Sequence, residues 1–166
     1  MDSKKVIGIM GPGENATKSD LTIAFELGKL IARTGNVLLT GGRSCGVMEA
    51  AMKGAKEESG ITIGILPGND RREMSSYVDI PIITGMGNAR NSINILSSQI
   101  IIAVGIGAGT LSKVALAIKS NKPVIWYNYT AEAYHFFYEL QSKTIIFMDN
   151  LSLPESEQLI NNLLKH

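Results

Sequence analysis

Seven short runs rich in Ile and Val alternate with longer stretches of helical periodicity, and this alternation limits the chain's possible folds more than any other feature. The runs are Lys5–Met10, Asn36–Thr40, Thr62–Leu66, Val78–Thr84, Gln99–Val104, Pro123–Tyr127 and Thr144–Met148. Helical patterns cover Asp20–Arg33, Val47–Glu58, Ala89–Ser97, Thr110–Ser120, Ala131–Leu140 and Glu155–Lys165. In the first, apolar residues recur at Leu21, Ala24, Phe25, Gly28, Ile31 and Ala32, a 3.6-residue stripe, and Gly35 follows as a stop signal. Strands joined by helices must pair in parallel. Ile100-Ile101-Ile102-Ala103-Val104 is apolar on both faces, so the sheet must be covered on both sides. These patterns predict a three-layer α/β fold: a Rossmann-like open parallel sheet of about seven strands with helices on both faces.

With 166 residues, 45% of them hydrophobic, the chain is expected to fold as a single domain over 1–166. A chain of this length buries about 70% of its unfolded surface, so neither disulfide nor metal is needed for folding. Sixteen basic and fifteen acidic side chains give a net charge of +1, which removes the electrostatic case for nucleic acid or an anionic membrane as partner. The first apolar run, Val6–Met10, is too short for a signal peptide core, and no run approaches the ~20 apolar residues of a membrane span. A cytoplasmic location is expected. One connection is unusual: Pro67–Tyr77 is longer and more charged than the ~2–6 residues common for such loops, and reads either as a lid or as a solvated loop.

Glycines cluster after each of the first five strands: Gly11-Pro12-Gly13, Gly41-Gly42, Pro67-Gly68, Gly85-Met86-Gly87 and Gly105-Ile106-Gly107-Ala108-Gly109. The carboxyl ends of parallel strands form the rim where ligands bind, and glycine there lets backbone amides come close. Two turns run straight into helices, at Gly46-Val47-Met48-Glu49 and at Gly109-Thr110-Leu111, which predicts anion sites at helix N-termini. Neither a Walker loop nor a dinucleotide fingerprint is present, because no Gly-Lys-Ser/Thr follows a four-residue gap and Pro12 interrupts Gly8-Ile9-Met10-Gly11-Pro12-Gly13. The ligand these turns predict is a small phosphate-bearing molecule.

Four segments, Thr40–Ala51, Gly64–Gly68, Thr84–Asn91 and Gly105–Thr110, together resemble the Lonely Guy/lysine-decarboxylase-like (SLOG) Rossmann superfamily, and within it the molybdenum cofactor carrier proteins. The resemblance runs in order from about Lys5 to Tyr127. Enzymes of the superfamily cleave nucleoside monophosphates with a P-G-G-x-G-T-x-x-E motif and an arginine from a preceding helix. Gly105–Lys113 aligns with that motif, but Lys113 stands at the glutamate position, and Arg90 matches the arginine. An ammonium group can neither accept a proton nor offset an oxocarbenium-like charge, so catalysis is not expected. A lysine in a first helical turn costs ~0.3–1 kcal/mol against the dipole, a sign that a bound anion would reverse.

The resemblance therefore implies a non-catalytic carrier of molybdenum cofactor (molybdopterin), with no protein-ligated metal. Backbone amides of Gly107, Ala108, Gly109 and Thr110, with Lys113, would take the phosphate. Arg43, Ser44, Arg90 and Asn91 would reach the remaining polar atoms, and Gly11, Gly41, Gly42 and Gly68 would shape the rim. A Lonely Guy-type phosphoribohydrolase and a nucleotide-sensing module are the alternatives. Glu49 reads as suited to its helix dipole alone, as a partner holding Arg43 or Arg90, or as a replacement acid. Cys45, at a helix start, is either a thiol of lowered pKa or a buried inert one. His135 and His166 make no metal-ligand pair, and Met48, Met52 and Met86 read as core. Trp126-Tyr127-Asn128-Tyr129 suits stacking on a flat heterocycle, a covered sheet edge or a subunit interface. The aromatic helix Ala131–Leu140 points to a homodimer or homotetramer, and molybdoenzymes are the implied recipients.

Overall fold

The computed structural model describes residues 4–140 and 143–165. Seven strands form one sheet: β1 (Val6–Met10), β2 (Val37–Thr40), β3 (Ile61–Leu66), β4 (Ile80–Ile83), β5 (Ile100–Val104), β6 (Val124–Tyr127) and β7 (Ile145–Met148). Their order is β4-β3-β2-β1-β5-β6-β7, and every neighbouring pair is parallel. The helices are α1 (Lys18–Arg33), α2 (Gly46–Glu57), α3 (Asn91–Leu96), α4 (Ala108–Lys119), α5 (Ala131–Glu139) and α6 (Leu153–Leu163), with a 3₁₀ turn over Gly87–Arg90 leading into α3. All seven predicted strands and all six predicted helices are present. The third helix differs in kind, because its first half is this tighter turn. His166 lies outside the described residues.

Side chains of a strand alternate between faces, and β5 shows what that does here. Ile100, Ile102 and Val104 join the core with buried residues of α1, α2 and α6, whereas Ile101 and Ala103 join the opposite core with α3, α4 and α5. Both sets are fully buried, which is why β5 reads as an unbroken apolar run. β4 is an edge strand whose Ile80, Ile82 and Ile83 stay exposed. Among the described residues no helix is long and apolar enough to cross a membrane.

The helix layer beside β1 and β2 depends on two glycines. A Cβ on Gly28 would stand 2.0 Å from the Ala51 carbonyl oxygen, and one on Gly54 would stand 2.0 Å from that of Phe25. α1 and α2 thus cross in backbone contact, bringing α2 down over Ile9 and Leu38. Thr17 caps α1, its side chain accepting from the Asp20 amide at 3.1 Å while the Asp20 carboxylate accepts from the Thr17 amide at 2.8 Å.

Asp20 also does work outside its helix. It is 2% exposed, accepts a hydrogen bond from Asn128 Nδ2 at 2.5 Å, and packs beneath Gly105, where a Cβ would come within 2.5 Å of its Oδ1. Gly105 has φ +72°, a conformation that favours glycine, and its carbonyl accepts from Trp126 Nε1 at 3.1 Å. The turn leaving β5 is therefore fixed from α1, β6 and the residue after β6 together.

Gly54→Ala should destabilise the protein by about 1–3 kcal/mol, since the overpacking exceeds the ~1 kcal/mol gain in helix propensity. Urea unfolding monitored by circular dichroism reads this directly, and a neutral or stabilising result would contradict the backbone contact.

Candidate functional site

β1 and β5 lie side by side, yet the chain leaves β1 toward β2 and β5 toward β6, so a crevice opens above their carboxyl ends. A cleft of about 380 Å³ occupies it. Such a volume suits a small-molecule ligand. Gly11, Pro12 and Gly13 form one wall, Ile106 through Thr110 the other, and Arg43, Arg90 and Lys113 project cations into the space.

Of the thirteen residues expected at the site, ten line this cleft: Gly11, Gly41, Arg43, Arg90, Asn91, Gly107, Ala108, Gly109, Thr110 and Lys113. Gly42, Ser44 and Gly68 do not. Gly42 packs on β3, where an added Cβ would meet Gly64 Cα at 2.9 Å, so its glycine serves strand packing. Ser44 is exposed and its amide donates to the Glu73 carbonyl. Gly68 is exposed in a neighbouring hollow lined by Pro67, Asn69, Asp70, Arg72 and Glu73. Met48, Asn88, Ile106 and Glu14 also line the cleft. Of these, Ile106 had a legible signal, since it sits between the glycines that open the second wall.

The two helix starts differ. α4 follows its N-cap Gly107 with no side-chain cap; Ala108 and Gly109 are exposed at the cleft, and the Thr110 hydroxyl is buried without a hydrogen-bond partner. That end presents a helix N-terminus with no protein cap to the cleft. The start of α2 is closed by protein: the Val47 amide donates to the Pro12 carbonyl at 3.0 Å, and Gly46, at φ +57°, sits so close that a Cβ would be 2.1 Å from the Gly13 carbonyl oxygen. Of the two helix ends expected to face a ligand, only that of α4 is open to the cleft. The loop after β1 itself satisfies the second.

Arg90 is 6% exposed and Lys113 9%, and among the described residues neither pairs with a carboxylate. Arg90 Nη1 donates to Asn91 Oδ1 at 3.2 Å, and its Nε is buried without a partner. Gly41 leaves room for the guanidinium, which would lie 3.0 Å from a Cβ there. Asn91 Nδ2 donates to Ser112 Oγ at 3.0 Å, tying the arginine's helix to α4. Lys113 Nζ donates to the Gly109 carbonyl one turn back at 3.2 Å. Burial first, and the Arg90 charge second, push the Lys113 amine down to about 8. Burial, then the Arg43 charge, lowers Arg90 in the same sense.

Several other expectations are decided by packing. Glu49 has one carboxylate oxygen buried without a partner and forms no ion pair with Arg43 or Arg90 among the described residues. Burial pushes the Cys45 thiol up, so the helix start does not activate it. Met48 faces the cleft as well as the core. Trp126 is fully buried against Phe137 and Phe147, and the Tyr127 hydroxyl bonds Ser156 Oγ at 2.7 Å, so these rings belong to the core. The Pro67–Tyr77 loop is anchored: the Ser44 amide donates to the Glu73 carbonyl and the Ser75 amide to the Gly42 carbonyl, both at 2.9 Å. Among the described residues no group of three or more His, Cys, Asp or Glu is placed to hold a metal ion.

A family model described as the SLOG cluster4 family matches residues 4–153. The molybdenum cofactor binding protein of the phototrophic bacterium Rippkaea orientalis is 50% identical over 99% of both chains, with a TM-score of 0.94. The molybdenum cofactor carrier protein of Chlamydomonas reinhardtii is 47% identical over 99% of this chain and 100% of its own, with a TM-score of 0.91. An uncharacterized protein of Archaeoglobus fulgidus is 45% identical over 118 residues, 71% of this chain and 76% of that protein.

Lys113→Met should stabilise the empty protein at pH 7 by roughly 2–4 kcal/mol, because a charge held out of water is removed. A depressed lysine makes folding cost most below its folded value of about 8. That cost fades as pH rises toward 10.5, so the gain from the substitution should shrink between pH 7 and 9.5. Denaturant melts of both proteins at the two pH values check this, and a pH-independent difference would refute it.

Proposed function

The chain belongs to the SLOG cluster4 family, and from that premise we propose that it binds, protects and carries molybdenum cofactor without transforming it. The observation that carries this reading is the pair of buried cations, Arg90 and Lys113, which among the described residues pair with no carboxylate, beside the uncapped start of α4. Burying charge without a partner is costly, and the cost is offset when an anion enters. Solved structures at 47–50% identity are molybdenum cofactor binding and carrier proteins, which supports that anion being the cofactor's phosphate.

In this reading the amides of Ala108, Gly109 and Thr110, together with Lys113, receive the terminal phosphate. Arg90 and Arg43 take the other anionic oxygens through charge-assisted hydrogen bonds, with Asn91 holding Arg90 in place. Gly11, Gly41 and Gly107 let the backbone come close, and Ile106 and Met48 offer apolar surface to the flat pterin. Gly42, Ser44 and Gly68 act one layer out, by shaping the turns behind the cleft. The whole chain serves as one ligand-binding domain.

The chemistry of the lining supports carriage over turnover. Cleavage of an N-glycosidic bond needs a carboxylate near the scissile bond, and the position aligned with that glutamate is Lys113. Glu14, which does line the cleft, has an 82% exposed side chain at the outer end near Arg43. We further propose a cytoplasmic homodimer or homotetramer that hands its cargo to molybdoenzymes. Exposed Phe136, Tyr138 and Leu140 on and after α5, and the three isoleucines of β4, supply apolar surface for subunit contacts.

Equilibrium binding of isolated molybdenum cofactor and of AMP to the wild type and Arg90→Ala tests the reading. Selective cofactor binding, weakened about 30- to 100-fold in the variant, is expected for the loss of buried charge-assisted bonds. An anion holds Lys113 protonated, so binding takes up a proton once the free amine begins to lose its own near 8. Affinity should therefore be flat below that pH and fall about tenfold per unit above it, while Lys113→Met shows no such fall. AMP cleavage with release of adenine, or cofactor binding indifferent to both substitutions, would overturn the proposal.

A further inference from the structure

Arg43 differs from the other two cations of the cleft because it already has counter-charges. Its Nε lies 3.1 Å from Glu73 Oε2, and its Nη2 lies 3.8 Å from Glu14 Oε1. The contact with Glu73 is short but off-angle, since Arg43 Nε makes no hydrogen bond of good geometry. It is thus held by charge more than by direction, and such a contact exchanges easily.

Glu73 is nonetheless placed with care by its backbone. The anchoring bonds of Ser44 and Ser75, described above, bracket an isolated antiparallel bridge between Arg43 and Met74. The Glu73 side chain is 64% exposed and that of Arg43 32%, so the pair sits at the mouth of the cleft. Arg43 lines the main cleft and Glu73 the hollow beside it, which makes their ion pair the partition between the two.

We infer that Glu73 is a built-in competitor for the ligand's anionic group at Arg43, holding affinity down so that bound cargo can leave. This rests on the cleft being an anion site. An entering anion displaces the Glu73 carboxylate from Arg43, and the carboxylate moves into water. On release the carboxylate returns and re-forms the partition. The device suits a carrier, because Arg90 and Lys113 alone would favour tight retention, whereas an exchangeable third contact speeds dissociation.

Glu73→Gln removes the competing charge and leaves the backbone bonds in place. Binding is measured by calorimetry for isolated molybdenum cofactor, AMP and pyrophosphate, with release rates followed by stopped flow. Every probe that binds should bind about threefold tighter to the variant, chiefly through slower release, on the scale of a partly exposed ion pair. In an Arg43→Gln background the gain should be clearly smaller, since Glu73 then acts only at longer range, on Arg90. Unchanged or weaker binding in Glu73→Gln would overturn the inference, as would an equal gain without Arg43. If AMP or pyrophosphate tightens while the cofactor fails to bind, the carrier reading falls and the competitor role stands. If no probe binds either protein, both fall.

Discussion

Two buried cations, paired with no carboxylate among the described residues, set the terms for the rest of the cleft. A lysine or arginine so placed would, in a flexible protein, turn outward to solvent. Here neither can. Arg90 enters from a 3₁₀ turn whose successor, Asn91, is bonded to α4, and Gly41 yields the space it fills. Lys113 is tethered one turn into α4, and the start of α4 is fixed through Gly105, Asp20 and Trp126. These contacts hold the two cations in one arrangement, the kind of preorganisation that binding an anion requires.

The same arrangement differs from the carboxylate-bearing site that N-glycosidic cleavage calls for. Cationic groups stabilise charge already present on a ligand, so they act on its bound state as a whole. Bond cleavage requires a group whose interaction strengthens only as the bond breaks. Lys113, one turn into α4 rather than in its first turn, and Arg90 are groups of the first kind, suited to charge that a ligand already carries.

Much of this was legible in the chain before folding was considered. Strands such as Ile100–Val104 could be read because burial on both faces demands an unbroken apolar run, and the glycines after five strands marked the rim at their carboxyl ends; the crevice between β1 and β5 depends on a strand order that only the structure gives. Lys113 was legible through its place in a glycine-threonine turn. Burial of Arg90 was not, because depth depends on what Gly41 and α4 leave open. Glycine turns were also ambiguous: Gly42 looks like a ligand-facing residue in sequence but packs on Gly64, and Gly46 opens a helix whose end another loop has closed. A turn's composition fixes its backbone freedom and is silent about which neighbour fills the space beside it.

The bond between Asp20 and Asn128 joins residues 108 positions apart. In a chain made from its N-terminus, β1 through β4 can assemble as soon as they emerge, because each adds to the growing edge beyond β1. The other edge of β1 stays bare until β5 is made, and that bare edge is half of the future crevice. The wall from α4 and the lock from Asn128 come later still. In a growing chain the crevice is therefore incomplete until β5, α4 and Asn128 have all emerged, in the second half of the sequence.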